Sequence, residues 1–405
     1  MGNSRHSNGC IYCGEAGPFT DEHVISAGLG GDDKAWMLRD CVCGTCNSKR
    51  FSALETHLLK QSHVSIARLF MQKSTRDRNT PPSLQPRSSY YRDPVSNLLL
   101  VVEFKAGGES EVLPQVVLDS QIDRVAITGT PGKALDEFLD ALQAHRAGFA
   151  LIQKRGPRTF YSAKAVWTGS SFETEEWLVH KKPPENGVWL EELALLTTQS
   201  VREIPPTSIH RRAKGQMVCR ATDLAAALKF LSVVCENFEE LRSESGLARP
   251  QKDDQPTIHL RLSIDDEKVQ RAIVKIGLNL VAFIGGAPLA RLHEFDEAVG
   301  YVLDGTGSAR KRTASQNQFG PAMHDRHVFV LFESRVEGVG LALMMAASLY
   351  GNSADVYILA MFPENTDPTA FSEPQVVHVD YNANRIELLD LVGHAQRAAI
   401  SPSFA

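Results

Sequence analysis

Long hydrophobic runs are missing from this sequence, as are the features of a secreted chain. No run of eighteen apolar residues occurs, so the sequence offers no candidate for a membrane-spanning helix. Residues 1–20 lack the basic start and the apolar centre of a signal peptide. We therefore expect a cytoplasmic protein without membrane contacts, whose 405 residues form two or three domains.

A strong excess of one charge is also missing. The formal net charge of −5 argues against a protein that is coated in nucleic acid. The charge is uneven, because residues 1–100 hold 12 Lys and Arg against 9 Asp and Glu, whereas the remaining residues hold 31 against 39. Only the first hundred residues carry the sign that suits phosphate groups, so a contact with nucleic acid is expected there.

Cysteine is scarce, with seven residues in the chain, and five of these lie close together near the N-terminus. They include two Cys-x2-Cys pairs, Cys10 with Cys13 and Cys43 with Cys46. In a chain expected in a reducing compartment, such pairs are typical of a tetrahedral zinc site rather than of disulfides. Cys41 could compete with Cys43 as a ligand, but only Cys43 has the right spacing to Cys46. The sequence therefore predicts a structural Zn²⁺ ion held by four thiolates.

An acidic residue and a histidine, Glu22 and His23, lie between the two cysteine pairs, and Asn47 directly follows the second pair. This string resembles the HNH endonucleases, the zinc-stapled branch of the ββα-metal nucleases. The resemblance covers about residues 8–60 and depends on all three motifs in this order, since any one of them alone is a weak signal. It implies a ββα-metal module at the N-terminus. Apolar patterning predicts both strands and helices in the rest of the chain, so we expect an α+β fold in which this module precedes a larger mixed α/β region.

The resemblance also implies a role for each matching residue. The two cysteine pairs match the structural zinc ligands, and His23 matches the general base that takes a proton from the attacking water. Glu22 and Asn47 match the ligands of a catalytic divalent ion, Mg²⁺ or Mn²⁺. The family often has a further Asn shortly before the second cysteine pair, where it braces the loop and orients the base, but residues 36–40 contain none. In this chain we expect Asp40 or the backbone to brace the loop instead.

These residue types suit the hydrolysis of a phosphodiester. A free imidazole has a pKa of about 6.5, so it is largely neutral at pH 7 and can remove a proton from water. One divalent ion can neutralise the charge that develops at the phosphate. The competing interpretation is a zinc ribbon that only docks a nucleic acid or a protein, with Glu22 and His23 as a surface dipeptide. We expect a DNA endonuclease, with a non-catalytic zinc adaptor as the alternative.

Basic residues near the motif are candidate contacts for double-stranded DNA. Lys49 and Arg50 lie in the helix that is predicted to follow the second cysteine pair. Arg76 and Arg78 belong to a basic stretch, residues 73–95, whose prolines exclude a helix. This stretch either lies along the DNA backbone or is a solvated linker.

Composition and apolar patterning predict four regions. They are an HNH nuclease module with its zinc knuckles and helix at residues 1–72, a basic Pro/Ser-rich linker at 73–95, a mixed α/β domain at 96–250 and an α+β region at 251–405. The last region is expected either to sense a ligand such as a nucleotide signal, the layout of bacterial anti-phage effectors that carry an HNH module, or to be an oligomerisation scaffold. A homo-oligomer is expected.

Apolar spacing predicts two long helices. One covers residues 48–72, and the most regular one in the chain covers residues 265–284. Lys275 and Asn279 lie one turn apart on the second helix, a pattern weakly similar to helices that follow zinc-stapled HNH modules. A cap or a salt bridge explains that pair as well. Residues 341–350 fit either a helix or a strand.

Overall fold

The structure, a computed structural model, has the α+β fold that the sequence predicts. The residues that it describes are 8–31, 34–75, 82–84, 86, 88–104, 108–119, 124–130, 132–156, 159–184, 187–193, 196–197, 202–212, 215–245, 256–307, 311–313, 323–337, 340–364, 366–367 and 369–400. Among these residues, no helix has the length and apolar character needed to cross a lipid bilayer.

The chain divides into two compact units, and the first is built from both ends of the sequence. The first unit contains residues 1–85, 106–108 and 262–405, and the second contains residues 86–105 and 109–261. This division differs from the predicted one, in which residues 1–72 were separate from residues 251–405. The physical reason is long-range packing, because the helix Asp266–Ile284, hereafter the central helix, shares one core with the N-terminal residues.

The first unit begins with two short strands followed by a helix. Strands Glu22–His23 and Met37–Leu38 pair antiparallel. The helix starts as a π-helix over Thr45–Phe51 and continues as an α-helix over Ser52–Lys60. These elements, together with the first cysteine pair, are called the zinc module below (residues 8–60).

The prediction of one continuous helix over residues 48–72 is wrong, because the helix is interrupted before Ser62. A second α-helix runs over His63–Met71. Its start is fixed by a reciprocal cap, in which the Ser62 hydroxyl accepts the Ser65 N–H and the Ser65 hydroxyl accepts the Ser62 N–H. The capping box gives side-chain partners to N–H groups at the start of the second helix, which in a continuous helix would bond to backbone carbonyls. The break leaves the spacing of the apolar residues unchanged, so the sequence pattern did not reveal it.

The central helix confirms the helix predicted over residues 265–284. It begins after Asp265, whose carboxylate accepts the Lys268 N–H at 3.1 Å. Most of its side chains are buried, because the zinc module covers one side and a β-sheet covers the other. At the closest approach to that sheet the helix has Gly277, where a Cβ atom would lie only 3.0 Å from the Leu359 side chain.

The sheet beneath the central helix is antiparallel and has six strands among the described residues. Their spatial order is Arg312–Thr313, Asp355–Phe362, Gly340–Ser348, His327–Val336, Gln375–Asp380 and Arg385–Leu389. Residues 341–350, for which helix and strand were both open, therefore begin as a strand, and alternate residues Leu341, Leu343 and Met345 face the core. The remaining helical segments of this unit are Ala27–Leu29, Ala287–Ala290, His293–Phe295, Asp296–Asp304 and Leu391–Ile400.

The second unit is built around a mixed sheet with nine strands among the described residues. The spatial order is Phe172–Thr174, Phe160–Trp167, Gly148–Lys154, Val188–Glu192, Met217–Ala221, Ser208–Arg211, Gln115–Asp119 and Arg124–Thr128, and Leu178–His180 also pairs with Phe160–Trp167. The neighbouring strands Gly148–Lys154, Val188–Glu192 and Met217–Ala221 run parallel. The helices of this unit, which share an apolar core with the sheet, are Lys133–His145, Leu224–Glu236 and Phe238–Ser245.

The stretch predicted as a linker, residues 73–95, contains a strand of the second unit. A four-stranded sheet has the order Ile258–Arg261, Ser88–Arg92, Leu99–Phe104 and Ser110–Val112, and a separate two-stranded sheet pairs Leu196–Thr197 with Arg202–Glu203. Tyr90 lies on the strand in question and is only 3% exposed. One pairing partner of this strand comes from more than 150 residues further along the chain, which local composition does not indicate.

His327 is enclosed in the first unit, where its side chain is fully buried. The rings of Tyr350 and Tyr381 contact the imidazole, with centroid distances of 4.4 and 4.9 Å. The imidazole Nδ1 accepts the Tyr350 backbone N–H at 3.2 Å, so this nitrogen carries no proton. Burial lowers the pKa of His327 to about 3, and the neighbouring Arg68 cation acts in the same direction.

We expect the first unit to lose stability as the pH falls below about 6.5. A histidine in the unfolded chain takes up a proton near pH 6.5, whereas His327 in the folded chain stays neutral down to about pH 3. The folded state therefore binds fewer protons in this window, and His327 alone should lower the free energy of unfolding by about 1.4 kcal/mol per pH unit. Chemical denaturation of the full chain between about pH 7 and pH 5 measures the slope.

His327→Gln should reduce the slope of the free energy of unfolding against pH by the contribution of one proton, about 1.4 kcal/mol per pH unit. His63→Gln, at an exposed histidine of the same unit, is the matched control and should leave the slope as it is. An unchanged slope in His327→Gln would contradict the prediction.

Candidate metal centre and adjoining site

The two cysteine pairs of the zinc module converge on one point. The sulfur atoms of Cys10, Cys13, Cys43 and Cys46 all lie within 4.8 Å of one another, and those of Cys13 and Cys43 are 3.5 Å apart. Four sulfurs around a zinc ion at about 2.3 Å form a tetrahedron with edges of about 3.8 Å. The group could therefore hold a metal ion such as zinc with little movement, as the sequence predicts.

The first knuckle is a tight turn that directs both of its sulfurs inward. The Cys10 N–H donates to the Glu15 carbonyl at 2.8 Å, and the Gly14 N–H donates to the Cys10 carbonyl at 2.9 Å. Gly14 has φ +76°, which favours glycine, and a Cβ atom at Gly9 would clash with the Gly14 carbonyl. The turn is thus set by the glycines around the cysteines as well as by the metal-ligand spacing.

The surroundings of Cys10 favour a thiolate, whereas those of Cys41 favour a neutral thiol. The hydrogen bond from Cys46 lowers the pKa of Cys10 to about 4 against the opposing effect of burial, and backbone N–H groups, including that of Cys43, assist. Burial raises the pKa of Cys41 to about 11. Cys41 is buried outside the four-sulfur group that could hold a metal ion, whereas Cys43 belongs to that group.

The strand Glu22–His23 sends its two side chains in opposite directions, as neighbours on a strand do. Glu22 is only 4% exposed and its carboxylate forms an ion pair with the Lys275 ammonium group. His23 is half-buried and faces the accessible side of the module. The central helix therefore contacts the acidic residue of the motif, and the histidine side chain lies on the other face of the strand.

Asn47 lies in the first turns of the π-helix, beside the segment that leads into that strand. Its amide nitrogen donates to the Thr20 hydroxyl at 3.1 Å and to the Asp21 carbonyl at 3.0 Å. Both amide hydrogens are used in this way, and the amide oxygen has no hydrogen-bond partner among the described residues. The oxygen is thus available to a ligand close to the backbone of His23.

The Glu22 carboxylate has a partner that the resemblance does not include. It is buried and forms an ion pair with the buried Lys275 cation, which competes with a divalent ion for this carboxylate. The role of Glu22 as a ligand of a catalytic ion therefore stays a prediction. Of the implied catalytic residues, His23 and Asn47 remain on the accessible side.

Four residues that sequence reasoning did not place in the site contact it from behind. They are Tyr12, Glu55, Lys275 and Asn279. Glu55, on the helix that follows the second cysteine pair, pairs with Lys275 at 2.7 Å. The only signal in the sequence was the one-turn spacing of Lys275 and Asn279 on an otherwise apolar helix. Asp40, the candidate brace, is exposed and makes no side-chain hydrogen bond to the histidine strand among the described residues.

The candidate DNA contacts divide into two sets. Lys49 and Arg50 are exposed on the π-helix that carries Asn47. Arg76 and Arg78 lie outside the described residues, so their predicted role stays a prediction. Lys49 and Arg50 thus follow Asn47 by two and three residues on the same helix.

Comparisons of this chain with protein-family models, with curated proteins and with solved structures found no match. The likeness to HNH endonucleases therefore depends on the motif itself.

We expect the full chain to bind one zinc ion through the four clustered thiolates. Cys46→Ser should abolish zinc binding and lower the free energy of unfolding of the first unit by more than about 3 kcal/mol, because a thiolate-held ion links the two knuckles. Metal analysis of the purified protein and a melting curve measure the two effects. Cys41→Ser is the matched control and should keep the zinc; equal zinc loss in both variants would contradict this ligand set.

Proposed function

We propose that the protein is a metal-dependent endonuclease that hydrolyses DNA phosphodiester bonds, with His23 as the general base. The observation that supports it best is the anchoring of Asn47. Its amide is hydrogen-bonded to the backbone only two residues ahead of His23, so an imidazole and a free amide oxygen share the accessible side of a zinc-stapled module.

In this proposal His23 accepts a proton from a water molecule as the water oxygen forms a bond to phosphorus. The bond from phosphorus to the leaving sugar oxygen then breaks, and that oxygen takes up a proton from solvent water, which leaves a phosphate monoester and a hydroxyl group. A bound Mg²⁺ or Mn²⁺ would supply neutralisation of the phosphate charge. The Asn47 amide oxygen is a hard ligand of the kind that Mg²⁺ accepts, so this residue would help to hold the ion.

The zinc ion would have no part in the hydrolysis. The module contains two strands of only two residues each and one helix, which is too little structure to hold itself together by core packing alone. Four thiolates would fix the first knuckle to the start of the helix that carries Asn47. The zinc ion therefore sets where His23 and Asn47 lie.

A second candidate function is a zinc-bearing adaptor that binds nucleic acid or protein without cleaving it. The engagement of Glu22 by Lys275 favours it, because this leaves Asn47 as the single identified protein ligand for a catalytic ion. The two functions share the exposed cations and the zinc, and they differ in whether the phosphodiester is cut.

We expect the purified full chain to nick supercoiled plasmid in the presence of Mg²⁺ or Mn²⁺. His23→Ala should lower the cleavage rate by a factor of about 10² to 10⁴, the usual loss when a general base is removed. DNA affinity and zinc content should not change. Agarose-gel assays of nicking over time measure the rate, and added nucleotides test whether a signal molecule controls it.

His63→Ala, at an exposed histidine of the same unit, is the control and should retain wild-type nicking. Full activity of His23→Ala would remove His23 as the base. DNA binding by the wild type without any cleavage in either metal would favour the adaptor.

We also expect Lys49 and Arg50 to contact phosphates. Replacing both by Ala should weaken DNA binding and reduce the slope of log affinity against log salt concentration by about 1.8, as for two lost phosphate contacts. Fluorescence anisotropy with a duplex at several salt concentrations measures the slope. Lys133→Ala combined with Arg385→Ala removes an exposed Lys and Arg elsewhere in the chain and should leave the slope unchanged; an equal change in both double variants would contradict the assignment.

A further inference from the structure

Two polar side chains are enclosed in the apolar middle of the central helix. Lys275 is 1% exposed and Asn279 is fully buried. Burying a charge costs several kcal/mol and burying an amide also costs free energy, unless each finds partners. Among the described residues, the partners of both side chains belong to the zinc module, at residues near His23 or on the first knuckle and the helix.

Asn279 uses both ends of its amide. The amide nitrogen donates to the His23 carbonyl at 3.0 Å and lies 3.4 Å from the Val24 carbonyl and from the Glu22 carboxylate. The amide oxygen accepts the Tyr12 hydroxyl at 2.7 Å. Tyr12 lies between the two cysteines of the first knuckle, so one side chain connects that knuckle to the backbone of His23.

Lys275 acts one turn earlier on the same helix. Its ammonium group pairs with the carboxylate of Glu22 and, at 2.7 Å, with that of Glu55 on the helix of the zinc module. It also lies 5.4 Å from the centre of the Phe51 ring. Burial alone would lower the pKa of Lys275, but the two carboxylates outweigh it and the pKa is raised, so the group is a permanent cation.

These contacts matter because the histidine strand is too short to fix itself. The strand Glu22–His23 has only two residues paired with its neighbour. An isolated two-stranded ribbon of ordinary length is marginal in water, and this one is shorter still. The side chain of residue 22 and the carbonyl of residue 23 are both held by the central helix, one by Lys275 and one by Asn279.

We propose that Lys275 and Asn279 are positioning residues that hold His23 where it works, from a helix that lies at the other end of the chain. The proposal rests on the proposed function for the role of His23. The hold on the His23 backbone itself can be tested without any cleavage. A displacement of about 1 Å at a catalytic group can cost a factor of about 10² in rate, so the loss of either contact should be visible in kcat.

The test uses Asn279→Asp in the full chain. This change keeps the shape of the side chain, removes the N–H donors and places a carboxylate oxygen against the His23 carbonyl. We expect kcat for plasmid nicking to fall by a factor of 10 or more, with KM and zinc content unchanged. The ring signals of His23 in histidine-labelled protein, assigned by their absence in His23→Ala, should shift.

Two further variants complete the design. Tyr12→Phe removes only the hydroxyl that orients the Asn279 amide, so it should fold and give a smaller loss of kcat, provided that zinc content is retained. Lys275→Met should also lower kcat. Its matched control is Arg271→Met, one turn earlier on the central helix, where the guanidinium instead bonds the Val302 carbonyl and Glu267.

The outcomes separate the two proposals. Wild-type kcat and unshifted His23 signals in Asn279→Asp would overturn the positioning role, and so would a loss of activity that only follows a loss of zinc. If the wild type cuts no DNA, the proposed function fails, and the His23 signals in Asn279→Asp and Tyr12→Phe still decide whether Asn279 holds that residue. An equal loss of kcat in Arg271→Met and Lys275→Met would overturn the role of Lys275.

Discussion

The ammonium group of Lys275 is the buried charge on which the arrangement of the first unit depends. A cation at this depth is stable only with carboxylates beside it, and it finds two, on the first strand and on the first helix of the zinc module. Glu22 and Glu55 are thereby fixed to the central helix. The front of the chain and its last third must fold together, since neither the lysine nor the carboxylates are satisfied alone.

The thiolate group supplies a second, independent constraint on the same few residues. It joins the first knuckle to the start of the π-helix, whereas the lysine and Asn279 join the strand Glu22–His23 to the central helix. Tyr12 belongs to both, because it lies between two cysteines of the four-sulfur group and donates to Asn279. His23 is thus held between a group that could hold a metal ion and a buried polar pair.

The sequence was sufficient for features that depend on local spacing. Two close cysteine pairs predicted the sulfur cluster, and apolar residues at helical spacing predicted the central helix to within one residue. It was not sufficient for features that depend on distant partners. Nothing near Ser88–Arg92 indicates a strand, because one of its pairing partners is Ile258–Arg261. The break before Ser62 was missed because a capping box can interrupt a helix without changing its apolar pattern.

The partner of Glu22 was missed for the same physical reason. The position of Glu22 next to His23 made it part of the motif. Which face of a strand is buried depends on the residues that pack against that face. Here that residue is Lys275, which lies about 250 residues away in the sequence. One-turn spacing of Lys275 and Asn279 within an apolar helix was a visible signal, since two polar groups in a buried stretch need partners. The sequence alone does not identify those partners.

The distribution of charge around His23 follows from this arrangement. Lys275 is neutralised by two carboxylates, and Lys49 and Arg50 are exposed on the helix that carries Asn47. A free Glu22 carboxylate on the accessible side would oppose the approach of a phosphate. Because this carboxylate pairs with Lys275, the proposed binding of DNA would not have to overcome its charge. The proposed divalent ion would then compete with Lys275 for Glu22 and would depend more strongly on the phosphate itself for its ligands.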